Sequence, residues 1–123
     1  MAIPKDILTN IDAARSLLVT CHVNPDGDAI GALLGLSGLL RSMGKHVVAV
    51  CEDPVPRRYH FLPGWRQVMT VEDAAENGPY DTIVVLDAGD LDRIGQVQTL
   101  ISNGTTLVNI DHHVSNPRFG DAA

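Results

Sequence analysis

The sequence is poor in cysteine and in positive charge, and it has no long apolar run. Two cysteines, Cys21 and Cys51, are too few for a disulfide scaffold and lack CxxC spacing. Each ends an apolar stretch, which reads as a buried free thiol. Nine basic residues against fifteen acidic ones give a net charge of −6. That balance argues against a protein that grips nucleic acid through a broad basic surface. A phosphorylated ligand stays allowed, because bound divalent metals reverse the sign of the field locally. The longest largely apolar stretch, Ala29 to Leu40, contains Gly31, Gly35 and Gly38 and is too short to cross a bilayer. Met1 to Asp6 shows no basic segment followed by an apolar one, so no signal peptide is expected and a reducing, cytoplasmic setting is the default. Internal repeats, low-complexity tracts and charge runs are missing too.

What is present suits one domain. Of 123 residues, 45% are hydrophobic and 20% charged, ordinary values for a globular chain. Helical spacing runs from Ile7 to Arg15, and Leu17–Cys21 reads as a buried strand. Ala29–Met43 is a helix with Gly44 as its stop, and His46–Cys51 is the next strand. Pro54, Pro56 and Pro63 mark a long connection with one helical turn near Arg58–Phe61. Val68–Thr70 is expected to be a short strand and Val71–Glu76 a short helix. Asp81–Asp87 and Thr105–Ile110 are further strands, with a helix over Leu91–Ile101 between them. The expectation is therefore an α/β domain, a mainly parallel five-stranded sheet flanked by helices.

In such a sheet the functional crevice lies at the carboxyl ends of the strands. Three polar clusters each come directly after an apolar strand: His22/Asp26/Asp28, Asp87/Asp90 and Asp111/His112/His113. Gathering that many carboxylates is costly unless a cation offsets their repulsion. Mixed imidazole and carboxylate donors without thiolate suit Mn²⁺, Zn²⁺ or Fe²⁺, and the carboxylates are numerous enough for two ions. Each cluster also has a plain structural explanation. Asn24–Asp28 is also a turn plus a helix N-cap, Asp87 also caps the next turn and Asp90 the next helix, and Asp111–His113 is also a polar loop. The coincidence of three clusters at one edge favours the metal.

His22-Val23-Asn24-Pro25-Asp26-Gly27-Asp28-Ala29-Ile30-Gly31, Val84-Val85-Leu86-Asp87-Ala88-Gly89-Asp90 and Asp111-His112-His113 together resemble the motifs of the DHH-family phosphoesterases. The likeness spans nearly the whole chain. Leu91-Asp92-Arg93-Ile94-Gly95 and His112-His113-Val114-Ser115-Asn116-Pro117 are similar to the bacterial branch of oligoribonucleases (nanoRNases) and 3'-phosphoadenosine 5'-phosphate phosphatases. The resemblance implies a Rossmann-like DHH domain and two Mn²⁺ ions, with Mg²⁺ or Co²⁺ as alternatives. It implies that His22 and Asp26 hold one metal, that Asp28 and His112 hold the other, and that Asp87 bridges them. It further implies that His113 faces the substrate phosphate and that Asp111 orients the histidines. Asp90 receives no ligand role. Arg57, Arg58 and Arg93 are phosphate candidates by charge, with a solvated surface role the weightier explanation for each.

Short RNA or a small nucleotide is the implied substrate, with no membrane partner. An open sheet edge leaves room for a homodimer. The family's further aspartate after the DHH motif and its C-terminal DHHA1 domain are absent from these residues, so 1–123 is expected to be the N-terminal portion of the DHH domain. Other readings stay open: a family II inorganic pyrophosphatase or a cyclic-dinucleotide phosphodiesterase relative, and a metal-binding module without catalysis.

Overall fold

The computed structural model describes residues 5–88 and 90–110. Four parallel strands, β1 (Ser16–Cys21), β2 (His46–Val50), β3 (Thr82–Leu86) and β4 (Thr106–Ile110), form one sheet in the order β2-β1-β3-β4. Among the described residues the sheet therefore has four strands rather than the expected five. The segment around Met69 contributes a single parallel bridge to Val50. It emerges from a 3₁₀ turn over Trp65–Gln67 and enters a helix at Val71, which leaves no length for a ladder.

The strands are apolar on both faces because both faces are covered, as parallel crossovers require. Alternate residues serve alternate layers. Leu17, Val19, Val84 and Val108 pack with Ala29, Ile30, Leu33 and Leu40 of α2 (Gly27–Ser42), on the side to which Ile11 of α1 (Lys5–Ala13) and Ala14 just after it also contribute. Leu18, Val48, Ile83 and Val85 face the other way, onto Ala74 of α3 (Val71–Glu76), Tyr80, Ile94 and Val97. Gly44 ends α2 as expected, with φ +84° and its N–H donating to the Arg41 carbonyl.

Leu91–Leu100 departs from the regular helix expected there. It is a pair of 3₁₀ segments broken at Gly95, whose φ of 61° and ψ of −137° are not helical. The strand order fixes where function belongs. From β1 the chain crosses to β2 on one side, and β3 and β4 lie on the other. The junction of β1 and β3 is thus the topological switch point, where the loops at the carboxyl ends diverge and leave a crevice.

Candidate metal centre

His22 follows β1 and Asp87 follows β3, so they flank that crevice from two adjacent strands. His22 Nε2 lies 3.5 Å from Asp87 Oδ2 and 4.0 Å from Asp26 Oδ1. Donor atoms of the three residues all fall within 4.8 Å of one another, the one such group of histidine, cysteine and acidic residues among the described residues. His22 and Asp87 are largely buried, whereas Asp26 is exposed, so the group opens to solvent on one side.

The tautomer of His22 is fixed by its surroundings. Its Nδ1 stands 2.6 Å from the Val23 carbonyl, which can only accept, so Nδ1 carries the proton and donates it. Nε2 is thereby aimed at the two carboxylates, the arrangement in which metal-binding imidazoles are usually held. One imidazole nitrogen and carboxylate oxygens, with no thiolate, form a donor set for a borderline or hard divalent cation. The residues present fit the metal.

Local backbone chemistry explains their placement. Asp26 is the N-cap of α2, and Oδ1 accepts the Ala29 N–H at 2.8 Å. Both readings of the Asn24–Asp28 stretch therefore fall on one side chain, which caps α2 and stands in the three-residue group that could hold a metal. Asp87 sits at φ 55° and Asn24 at φ 52°, left-handed positions that Asn and Asp tolerate better than other side-chain-bearing residues. The Asp87 N–H bonds to the Ile110 carbonyl at 3.0 Å, so the exit of β4 lies beside the group.

Of the other candidates, Asp28 is exposed in the first turn of α2 and outside the three-residue group. Asp111, His112 and His113 lie outside the described residues. Asp90 occupies the N-cap position of Leu91–Leu100 without a side-chain cap hydrogen bond. Arg57, Arg58 and Arg93 are not buried; the 3₁₀ turn Arg57–Tyr59 carries the first two, and Tyr59 closes on the entry of α2 at Gly27.

Sequence reasoning missed two carboxylates. Asp53 Oδ2 accepts the Asn24 N–H at 2.7 Å, and Glu52 Oε1 accepts the Gln96 N–H at 2.9 Å. A third tie, from the Val23 N–H to the Arg93 carbonyl, joins the loop after β1 to the segment 91–96. Glu52 and Asp53 come after an apolar strand just as the recognised clusters do. The prolines next to them hid them in what reads as a plain connection.

Comparison with known proteins matches residues 16–123 to the family model described as DHH family, N-terminal domain. The chain belongs to the DHH family. Among curated DHH relatives, the bifunctional oligoribonuclease and PAP phosphatase NrnA of Thermus thermophilus is 38% identical over 104 residues, covering 85% of this chain and 30% of the relative. The probable bifunctional oligoribonuclease and PAP phosphatase NrnA of Streptococcus mutans is 30% identical over 118 residues, or 95% of this chain and 36% of that protein. The crystal structure of an exopolyphosphatase-related protein from Bacteroides fragilis superposes with a TM-score of 0.82 at 28% identity, over 96% of this chain and 37% of that one. The DHH chain thus spans about a third of the length of the relatives it matches. No helix among its described residues is long and apolar enough to cross a membrane.

Proposed function

We propose that this DHH chain is the metal-holding N-terminal domain of a phosphoesterase acting on short oligoribonucleotides and 3'-phosphoadenosine 5'-phosphate. The observation that carries the reading is the convergence of His22, Asp26 and Asp87 at the sheet's switch point. The substrate class rests on the names of the relatives. The proposed ligand set is His22, Asp26, Asp28, Asp87 and His112 for two divalent ions, Mn²⁺ first, with Asp87 shared between them. A cytoplasmic setting suits the two free, buried thiols.

When bound, such ions neutralise a phosphoryl oxygen and make water acidic enough to attack near neutral pH. The chain's own residues do the rest. His22, held by Val23, presents a fixed nitrogen donor; Asp87 supplies buried negative charge; Asp26 closes the group from the open side while capping α2. His113 is assigned the hydrogen bond to the substrate phosphate and Asp111 the orientation of the histidines. Residues 1–123 carry most of one site, and a C-terminal DHHA1-type domain is assigned the remaining wall of the cleft.

The test is calorimetric titration with Mn²⁺, followed by chromatography of a dinucleotide and of 3'-phosphoadenosine 5'-phosphate incubated with the loaded protein. Saturable uptake of two ions with product formation is expected. Uptake without product from either substrate would make the chain a binding module. No uptake would remove the metal reading itself.

A further inference from the structure

Asp53 belongs neither to the sheet nor to the metal group, yet its carboxylate reaches the middle of the loop that joins two proposed ligands. That loop runs from His22 to Asp26. It leaves β1, turns through Asn24 in the left-handed region, and ends as the cap of α2. A turn of this kind points one backbone N–H away from both flanking elements, and here Asp53 Oδ2 takes the Asn24 N–H at 2.7 Å. The preceding N–H, that of Val23, is held by the Arg93 carbonyl. Two successive amides of the loop are thus fixed from outside, by partners on different elements. The Arg93 segment is in turn held to the β2 exit, because Glu52 accepts the Gln96 N–H at 2.9 Å. The Glu52 carboxylate occupies the space that a Cβ at Gly95 would need.

These contacts form a closed brace: β2 exit to loop, loop to Arg93, and Gln96 back to the β2 exit. They give a physical reason for the Leu91–Gly95 motif, which contributes no member of the metal group. We propose that Asp53 is a positioning residue that holds the His22–Asp26 loop in its cation-binding shape. The inference rests on the metal reading of that group. A charge-assisted hydrogen bond to a backbone amide is among the stronger ones available, and it acts on the loop without touching the ion. Groups that orient ligands in this way typically matter by factors of about ten to a hundred in metal affinity.

The experiment compares Mn²⁺ affinity by calorimetry for wild type, Asp53→Ala and Asp53→Asn, alongside metal-free melting curves and amide hydrogen exchange at Asn24. Asp53→Ala is expected to weaken Mn²⁺ binding about tenfold with little change in the metal-free melting curve. Asp53→Asn, whose amide oxygen can still accept, should retain most of the affinity. The Asn24 amide should be protected in wild type and exposed in Asp53→Ala, while β1 amides stay protected in both. Affinity in Asp53→Ala equal to wild type would overturn the inference. So would an Asn24 amide that exchanges freely in the wild-type protein, a readout that stands even if the alanine variant does not fold. Wild-type protein that takes up no Mn²⁺ would overturn the metal reading instead, while the exchange data still report on the brace.

Discussion

His22 and Asp87 leave neighbouring parallel strands and meet with Nε2 and Oδ2 3.5 Å apart. With Nδ1 committed to the Val23 carbonyl, the imidazole's other nitrogen faces a carboxylate oxygen across a gap longer than a good hydrogen bond. A cation held there would take a donor atom from each.

Asp87→Asn tests this with the least disturbance to the backbone. Asparagine accepts the left-handed φ of 55° at least as readily as aspartate, so the fold should persist, whereas alanine would add a strain of about 1–2 kcal/mol there. Loss of both Mn²⁺ ions in a calorimetric titration is the expected outcome. Loss of one ion alone would contradict the shared-ligand role.

Asp26 separates capping from metal binding. Asp26→Ala should lower unfolding stability by about 1 kcal/mol through the lost bond to the Ala29 N–H and should also weaken Mn²⁺ uptake. Asp26→Ser keeps a capping oxygen, so urea denaturation should show near-native stability while metal uptake still falls. Equal metal affinity in the serine variant would leave Asp26 as a cap only.

Gly95→Ala should destabilise the protein by about 1–3 kcal/mol from its backbone alone, because φ 61° with ψ −137° lies outside the left-handed helical region that other residues can visit. The added methyl would also displace the Glu52 carboxylate, which sits at the end of a flexible side chain and can swing away, forfeiting the Gln96 bond. Urea denaturation of the double-mutant cycle checks this: Glu52→Ala should cost less in the Gly95→Ala background than in wild type.

The strands and the crevice are legible in the sequence, for identifiable reasons. Strands covered on both faces produce unbroken apolar runs, so Leu17–Cys21 and Thr82–Leu86 announce themselves, and polar residues immediately after them mark the crevice. Gly44 is legible because a helix stop needs its φ. The fifth strand is a misreading, since one bridge at Met69 and a three-residue ladder look alike in sequence. Gly95 lies inside an apolar spacing that reads as helical, and only its backbone angles reveal the break. Asp53 escapes because its partner is a backbone amide, and amides leave no trace in residue identity.

Alkaline pH should loosen the fold. The hydrogen bond to Cys51, 3.6 Å between sulfurs, and burial push the Cys21 thiol far up from 9.0, and burial raises the Tyr80 phenol above 10.0. Unfolded, these groups release protons near their ordinary values; folded, they hold them to higher pH. Their contribution is therefore fully present below about pH 9 and declines as pH rises through the ordinary range of these groups. Melting temperature measured between about pH 8 and pH 11 should fall, and less steeply in Cys21→Ala.

The order of the four strands has one more consequence. His22 and Asp26 come from the first quarter of the described chain and Asp87 from its last quarter, across the seam where the sheet's two halves part. An ion seated there would work as a removable staple between sequence-remote segments. Unlike a covalent cross-link, which constrains the unfolded chain, it would stabilise only the folded state that assembles its ligands, and a chelator could take it out.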